Sequence, residues 1–234
     1  MKAKNLSRIL RGFADPAIAN HSQRFFKTGK GEYGEGDRFL GIRVPVLRQQ
    51  ARRHKEMALD EILRVLKSTY HEERLCALLV LVEKYRRGSE EEREAIYLCY
   101  MDNTRYINNW DLVDSTAYHI VGAYLEDKER NTLYEMAGSP NLWERRIAII
   151  STLHFIKNLQ FDDTLNLSLQ LINDDHDLIH KAVGWMLREV GNRVLSVEQT
   201  FLNKHYQQMP RTMLRYAIEK FPQKQRKKYL SGQV

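Results

Sequence analysis

The 234-residue chain has little proline, glycine or cysteine: five Pro, 12 Gly and two Cys. So few turn-forming residues do not suit a sandwich of many short strands. The 43% of hydrophobic and 29% of charged residues exclude a disordered or collagen-like chain. A long apolar run is also lacking, since the longest, 75–82, is far too short to span a bilayer. The length allows one large domain or two small ones. We expect a mostly helical globular protein, and of the two arrangements we predict a single domain over residues 1–234.

The cysteines and the first residues of the chain indicate its compartment. Cys76 and Cys99 lie in helix-like apolar contexts without a CxxC spacing, which favours free thiols over a disulfide. The first residues, MKAKNLSR, lack the apolar core of a secretion signal. We expect a cytoplasmic protein. Its net charge of +7 and its pI near 9.3 favour a polyanionic partner, nucleic acid before membrane.

Apolar residues recur every three or four positions along almost the whole chain, which is the period of amphipathic helices. One example is the stripe that contains Ile147, Ile150 and Ile156. Asn141 could cap this segment and Asn158 could end it. No stretch alternates as a strand would, so the pattern predicts an all-α protein with short connections. The same period predicts helices at 72–85, 91–101, 110–125, 164–172, 178–190 and 211–221.

Related motifs recur along the chain. ERLCA at 73–77 and RRIAI at 145–149 are 72 residues apart, which is two periods of 36, and similar motifs follow near 181 and 211. Such a period predicts a solenoid of stacked helix pairs. A basic residue opens the second helix of these units, so stacking would place a row of cations beside helix N-termini, where anions bind. Two interpretations stay open, a phosphate-backbone contact and an ordinary solvated edge. This basic row consists of Arg74, Arg146, Lys181 and Arg211.

The unit that should begin near residue 110 interrupts the basic row with WDLVD at 110–114. Trp110 and Asp114 are four residues apart and share a helical face, whereas Asp111 lies about 100° away. Asp111 stands in the first turn, where a capping role explains it best. Asp114 would repel the phosphates that the cations attract, which suggests a chemical use for it. Trp185 also falls on the side of the basic row.

Four segments in order resemble the AlkD-type DNA alkylation repair family, which is built of HEAT-like repeats. They are the glycine-rich stretch 27–45, NWDLVD at 109–114, LWERRIA at 142–148 and KAVGWMLRE at 181–189. The resemblance extends from about residue 20 to 221. It implies a right-handed superhelical solenoid with a concave basic groove. It also implies a cofactor-free, monofunctional DNA glycosylase that excises cationic alkylpurines such as N7-alkylguanine and N3-alkyladenine from duplex DNA.

The resemblance assigns roles to individual residues as well. It implies that Asp114 is the catalytic carboxylate, which stabilises an oxocarbenium-like sugar and positions water, and that Arg146 lies beside it. Trp110 and Trp185 would form aromatic walls around the damaged nucleotide. The residues that we expect to hold DNA phosphates are Arg43, Arg74, Arg145, Lys181, Arg188 and Arg211.

The chain departs from the family at one position and leaves other functions open. A family tyrosine near the N-terminus is replaced by Phe25 or Phe26, which removes any contact that needs its hydroxyl. One alternative function is that of a non-catalytic paralogue that binds DNA of unusual structure. Another is that of a HEAT-type scaffold for an acidic protein partner. We expect a monomer that binds double-stranded DNA with alkylated bases and no membrane.

Two further motifs carry no function in this interpretation. GKGEYG at 29–34 satisfies GxGxxG, but it follows a helical segment rather than a strand and is better explained as a shaped connector. His176 and His180 have the spacing of two metal ligands on a helix, but no third ligand is apparent. We therefore expect no metal site.

Overall fold

The computed structural model describes all 234 residues and is all-helical, so the prediction of an all-α protein is confirmed. No strand is present, and Arg38 and Tyr70 form one isolated parallel bridge. The chain divides into two compact units, Met1–Ile120 and Val121–Val234. None of the helices has both the length and the apolar character that crossing a membrane requires.

The first unit is built around α5, which packs against α3, α4 and α6. Every residue of α5 from His71 to Val82 is buried. A helix without a polar face is expected at the centre of a unit rather than at its surface. The α-helices are α1 (Ala3–Arg11), α2 (Pro16–Phe25), α3 (Val44–Arg53), α4 (Leu59–Leu66), α5 (His71–Tyr85), α6 (Glu90–Met101) and α7 (Trp110–Asp114), with a 3-10 helix at Thr104–Tyr106.

The second unit is built around α12, which packs against α9, α13 and α14. Gly184 permits the close approach of α12 to α14, because a Cβ atom at this position would lie 2.4 Å from the carbonyl oxygen of Met213. The α-helices are α8 (Asn131–Ala137), α9 (Leu142–Ser151), α10 (Leu153–Lys157), α11 (Asp162–Gln170), α12 (Asp177–Gly191), α13 (Leu195–His205), α14 (Arg211–Ala217) and α15 (Gln223–Ser231), with a 3-10 helix at Ile218–Lys220.

Helix pairing within each unit follows the predicted repeat. The first and second helices of a repeat pack together in the pairs α4–α5, α8–α9 and α11–α12. In the second unit, the second helices also stack on their equivalents, since α12 packs against both α9 and α14. The all-helical fold is therefore that of a helical repeat protein.

Some helices are shorter than the apolar period predicts. Asn141 caps α9 as expected, since its side chain accepts a hydrogen bond from the Trp143 N–H at 2.9 Å. The segment from α9 to Asn158 is nevertheless interrupted at Thr152, whose hydroxyl donates to the carbonyl of Ile149 at 2.7 Å. Threonine hydroxyls that bind nearby carbonyls compete with the helical hydrogen bonds, a local effect that the apolar period does not register.

A carboxyl group is buried in the second unit without a full set of partners. Glu198 on α13 is 1% exposed, and its Oε1 atom has no hydrogen-bond partner. Its Oε2 atom lies against Gly191 at the end of α12, where a Cβ atom would be 1.7 Å from it. Burial raises the pKa of Glu198 to about 8, against the opposing charge of Arg188. The native protein therefore holds this side chain in its protonated form at neutral pH.

We predict that Glu198 makes the stability of the protein fall as the pH rises. Between its ordinary pKa of 4.5 and about 8, the native state keeps a proton that the unfolded state releases, so stability declines across this window. Glu198→Gln should remove this decline. Melting temperatures at pH 5 and pH 8 test the prediction. The difference in melting temperature between the variant and the wild type should shift in favour of the variant from pH 5 to pH 8. An equal offset at both pH values would contradict it, and Glu56→Gln, at an exposed position, serves as the control.

Candidate active site

The predicted site lies on α7, a helix of only five residues in the first unit. The buried Asn109 begins it by accepting a hydrogen bond from the Trp110 N–H at 2.9 Å. The helix predicted over 110–125 ends at Asp114, because the Thr116 hydroxyl donates to the Leu112 carbonyl and occupies it. A π-helix follows at Tyr118–Gly122. The sequence thus forms two short helical pieces where the apolar period predicts one long helix.

A cavity of about 440 Å³ opens beside α7. Trp110, Asp111 and Asp114 all line it, which agrees with the prediction that Trp110 and Asp114 share a face. The cations on its lining come from α3 and from the end of α5, and they are Arg48, Arg52 and Arg86. Asp114 thus shares the cavity lining with three arginines and with two other carboxylates, Asp111 and Glu83.

The far wall of the cavity is formed by the chain just after α7. Tyr118 and His119 line it, and their rings are 3.8 Å apart between centroids. Arg86 reaches the His119 ring, with its Nη2 atom 3.2 Å from Nε2. Burial raises the pKa of the Tyr118 hydroxyl, and the positive charges of Arg86 and Arg48 oppose this shift. These two arginines therefore lie close enough to the wall to influence its polar groups.

Trp110 is supported by a stack of aromatic rings. Phe26 lies parallel to it, with ring centroids 5.2 Å apart and an interplanar angle of 16°. Phe26 also stacks on Phe39 at 5.0 Å, and Phe25 meets Trp110 edge-on at 6.0 Å. Phe25 and Phe26, the two candidates for the position of the family tyrosine, therefore both contact the predicted aromatic wall. Phe25 is 57% exposed, whereas Phe26 is half-buried.

A network of charged groups lies beneath this stack, and we call Asp37, His71, Arg74 and Asp111 the buried network. Its first three members are buried, and Asp111 is partly exposed at the cavity. The His71 ring is 2.8 Å from Asp111 through Nε2 and 3.3 Å from Asp37 through Nδ1. Arg74 donates to Asp37 at 2.7 Å. The side chain of Asn109 also donates to Asp37, at 3.3 Å. The network thereby joins α5 and the residues before α3 to α7.

Charges within the buried network hold each other ionised. Burial would lower the pKa of His71, but the charge and hydrogen bond of Asp111 and the hydrogen bond with Asp37 outweigh it and raise the pKa to about 9. Burial would raise the pKa of Asp37, yet the hydrogen bond from His71 and the charge of Arg74 keep it below its ordinary value. Opposite charges at such short range favour the ionised forms of His71 and Asp37.

Two expectations for the first unit change as a result. Arg74 is only 4% exposed and is paired with Asp37, so its predicted place in a solvent-facing basic row is wrong. A buried, paired guanidinium has no face left for a phosphate. Asp111 does accept from the Leu112 N–H, at 2.9 Å, but its stronger link is to His71. Arg43 precedes α3 and is exposed, as a DNA contact requires.

In the second unit, most of the predicted cations have partners within the protein. Arg146 is 5% exposed and donates to the Leu178 carbonyl, so it does not extend a surface row either. Arg145 pairs with Asp174 at 2.6 Å between Nε and Oδ2. Of the predicted phosphate contacts in this unit, Arg211 is the one on an exposed position, and its Nη1 atom donates to the Leu230 carbonyl.

The remaining predicted residues of the second unit lie along α12. Lys181 is partly exposed and pairs with Asp177 at 2.7 Å, and Arg188 pairs with Glu219. Trp185 is half-buried, and its indole N–H donates to Glu189 at 3.3 Å. These contacts leave part of the indole surface accessible, as an aromatic wall requires. These helices therefore do not present a continuous row of free cations.

Sequence reasoning missed the cations that line the cavity and the residue that anchors α7. A usable signal for the cations exists, because Arg48 and Arg52 are four residues apart and must share one face of α3. No local signal identifies His71 or Arg86, which meet the site only through packing. The repeat motif indicated Arg74 instead, which lies three residues after His71, the histidine that contacts α7.

We predict that the buried network stabilises the first unit strongly. Asp37→Ala would leave Arg74 and His71 buried without this carboxylate, which should lower the free energy of unfolding by about 3–5 kcal/mol. Asp60→Ala is the matched control, because Asp60 is 65% exposed and 3.8 Å from Arg64, a pair that contributes less than about 1 kcal/mol. Urea unfolding of both variants tests this. Similar losses for the two variants would contradict it.

Comparison with known proteins agrees with the all-helical fold. A solved structure, described as a predicted DNA alkylation repair enzyme from Enterococcus faecalis, aligns with a TM-score of 0.69 and 18% sequence identity. The alignment covers 90% of this chain and 97% of that one. No curated protein matches the chain. The sequence model of the family described as DNA alkylation repair enzyme matches residues 6–221, and the chain therefore belongs to that family.

Proposed function

We propose that the protein is a monofunctional DNA glycosylase that hydrolyses the N-glycosidic bond of cationic alkylpurines in duplex DNA. The observation that carries the proposal is the position of Asp114 beside Trp110 in a cavity bordered by arginines. Membership of the DNA alkylation repair enzyme family supports it. N7-alkylguanine and N3-alkyladenine are the proposed substrates, and the proposed chemistry needs neither a metal nor a cofactor.

The chemistry of these bases explains why one carboxylate is enough. Alkylation at N7 or N3 gives the purine a positive charge, so the base is a good leaving group without a general acid. When the C1′–N9 bond breaks, its electron pair goes to the base and neutralises that charge, and C1′ becomes an oxocarbenium-like cation. Water then adds to C1′ and loses a proton. The enzyme has to stabilise the sugar cation and position this water.

Asp114 has the properties that this step demands. Its carboxylate ends α7 and lines the cavity, where a substrate could reach it. Arg48, Arg52 and Arg86 line the same cavity. A fixed negative charge next to a developing cation is the kind of electrostatic stabilisation that usually dominates enzymatic rate enhancement. We assign to Asp114 both the stabilisation of the sugar and the orientation of the attacking water.

Trp110 supplies the selectivity for a charged lesion. An indole face attracts a cation by about 0.5–2 kcal/mol, which a neutral purine does not gain. The ring of Phe26 stacked on Trp110 fixes its orientation, and Phe25 extends the aromatic surface towards solvent. In the second unit, Trp185 and Arg146 remain proposals for the second wall and for a positioning arginine.

Exposed cations at this cavity can bind DNA phosphates. Arg48 and Arg52 on α3 and Arg86 after α5 are all exposed. Arginine suits phosphate because its planar group donates two parallel hydrogen bonds. We propose these three as the backbone contacts nearest the lesion, together with the predicted Arg43, Lys181 and Arg211. Contacts of this kind orient the duplex without reading its sequence.

We predict that Asp114→Asn abolishes most of the base release. The amide keeps the size of the side chain but loses the charge, so the single-turnover rate on a duplex with N7-methylguanine should fall by about 100-fold or more. Asp102→Asn, at an exposed position that does not line the cavity, should leave the rate unchanged. Equal rates for wild type and Asp114→Asn would contradict the role of Asp114. A wild type that binds duplexes but releases no base would instead favour the DNA-structure-binding alternative.

We predict that the arginines of the cavity set the salt dependence of binding. The slope of log K against log salt is negative, and each phosphate contact that is lost should make it less steep by about 0.9. Arg48→Ala, Arg52→Ala and Arg86→Ala should each show this change in fluorescence-anisotropy titrations. Arg53→Ala is the control, because Arg53 is exposed but absent from the lining. Slopes that match the wild type in all three variants would contradict the assignment.

A further inference from the structure

We propose that His71 is a positioning residue of the active site. As an imidazolium bound by Asp37 and Asp111, it holds α7 in place. It thereby keeps Trp110 and Asp114, which lie on α7, in the reactive arrangement. This inference rests on the proposed function of α7. It concerns a side chain that does not line the cavity and touches no substrate. Its evidence is the geometry, the charge balance and the ring packing around His71.

Both ring nitrogens of His71 face carboxylates. Nε2 is 2.8 Å from Asp111 Oδ2, and Nδ1 is 3.3 Å from Asp37 Oδ2. A neutral imidazole carries one N–H and could donate to only one of them, so the other nitrogen lone pair would face a carboxylate oxygen. The imidazolium donates to both. The arrangement therefore fits the protonated ring and disfavours the neutral one.

The charges around the ring lead to the same conclusion. The charged groups that face His71 are Asp37 from the segment before α3, Arg74 from α5 and Asp111 from α7. Without a proton on His71, two carboxylates would be balanced by one guanidinium, which leaves a net negative charge in a buried place. With the proton, the four groups sum to zero. A buried cluster that is neutral overall avoids the large cost of an unpaired charge.

Aromatic rings cover the faces of His71 and connect it to Trp110 by a second route. Phe39 stacks on it with centroids 4.6 Å apart, and Phe26 lies 5.1 Å away. Phe26 is the ring that stacks on Trp110. The histidine thus reaches α7 directly through Asp111 and indirectly through Phe26. The side chain of His71 is only 2% exposed, so water does not compete for these contacts.

The short length of α7 makes it depend on such contacts. Helices of five residues are not stable by themselves, because the hydrogen bonds gained do not offset the entropy of ordering the chain. The polar links of α7 to α5 and to the segment before α3 run through Asp111 and Asn109, and both lead to the buried network. They add to the burial of Leu112 and Val113 on the apolar side of α7. When His71 loses its proton, the Asp111 carboxylate loses its partner, and Trp110 and Asp114 should shift relative to the cavity.

The pH at which this happens follows from the shifted pKa. His71 titrates at about 9 in the native protein and at 6.5 ordinarily. Its stabilising effect is therefore fully present below pH 6.5 and is lost as the pH rises through about 9. Base release should be constant between pH 7 and 8 and should then decline along an alkaline limb with a midpoint near 9.

The first test measures the protonation state of His71 and does not depend on catalysis. In wild-type protein, side-chain ¹⁵N NMR should show both His71 nitrogens as imidazolium at pH 7.5, with a midpoint near pH 9. The indole N–H signal of Trp110, assigned with Trp110→Phe, should move with the same midpoint. A neutral His71 at pH 7.5, or a Trp110 signal that does not follow it, would overturn the inference. This outcome does not depend on the glycosylase proposal, which a wild type without base release would contradict separately.

The second test measures the rate of base release to detect whether His71 positions the reacting groups. His71→Gln should bind the methylated duplex within twofold of wild type, yet release base about 10- to 100-fold more slowly at pH 7.5, because small misplacements of reacting groups are costly. Its alkaline limb should disappear, and Asp111→Asn should move the limb to lower pH. His54→Gln, outside the site, is the control. A His71→Gln rate and pH profile equal to wild type, with enzyme-free release subtracted at each pH, would overturn the inference.

Discussion

The contact between His71 and Asp111 is the interaction on which the rest of the site depends. It spans 2.8 Å and connects the most buried helix of the first unit, α5, to the shortest one, α7. Everything that gives α7 chemical interest, the indole of Trp110 and the carboxylate of Asp114, lies within one turn of this contact. A long amphipathic helix would have been held by its own apolar face. This five-residue helix buries only two apolar side chains, Leu112 and Val113, and is held in addition by charge, by the Asn109 cap and by ring stacking.

The arginines around α7 divide into two groups with different tasks. Arg74 is enclosed with Asp37 and contributes to the fold, because its charge is cancelled within the protein. Arg48, Arg52 and Arg86 are exposed at the cavity and keep a face towards solvent. A net charge of +7 does not distinguish these groups, and only the second can attract a polyanion. Of the three carboxylates on the lining, Asp111 is bound by His71 and Glu83 by Arg87, and we propose Asp114 as the one that acts on a substrate.

Much of the fold follows from the sequence because local rules determine it. The apolar period gives the positions of α5, α6, α11 and α12 to within two residues, and the repeat of helix pairs appears in the packing. Where the prediction fails, a side chain intervenes: Thr116 ends α7 and Thr152 divides the segment after α9. A single hydrogen bond from a hydroxyl to a carbonyl does not change the spacing of hydrophobic residues, so the spacing cannot predict it. The π-helix after α7 cannot be predicted from that spacing for the same reason.

The candidate site was predictable only in part. WDLVD stood out because it breaks a basic repeat, and Trp110 and Asp114 do meet at one cavity. The partners of these residues come from α2, α3 and α5, and nothing in their local sequence signals that they converge. The basic row was a poor guide to exposure, since Arg74 and Arg146 occupy its positions and are buried. Sequence spacing places side chains on a helix face, but the neighbouring elements decide whether that face is solvent or core.

The central claim is that Asp114 recognises positive charge on the sugar. The most direct measurement compares binding of two duplexes that differ at one nucleotide, a cationic pyrrolidine that mimics the oxocarbenium ion and a neutral tetrahydrofuran of the same shape. A site complementary to the transition state binds its mimic more tightly than a neutral analogue. The account predicts at least about tenfold tighter binding of the cationic duplex by wild type, and no preference in Asp114→Asn. Equal affinity of the wild type for both duplexes would contradict it.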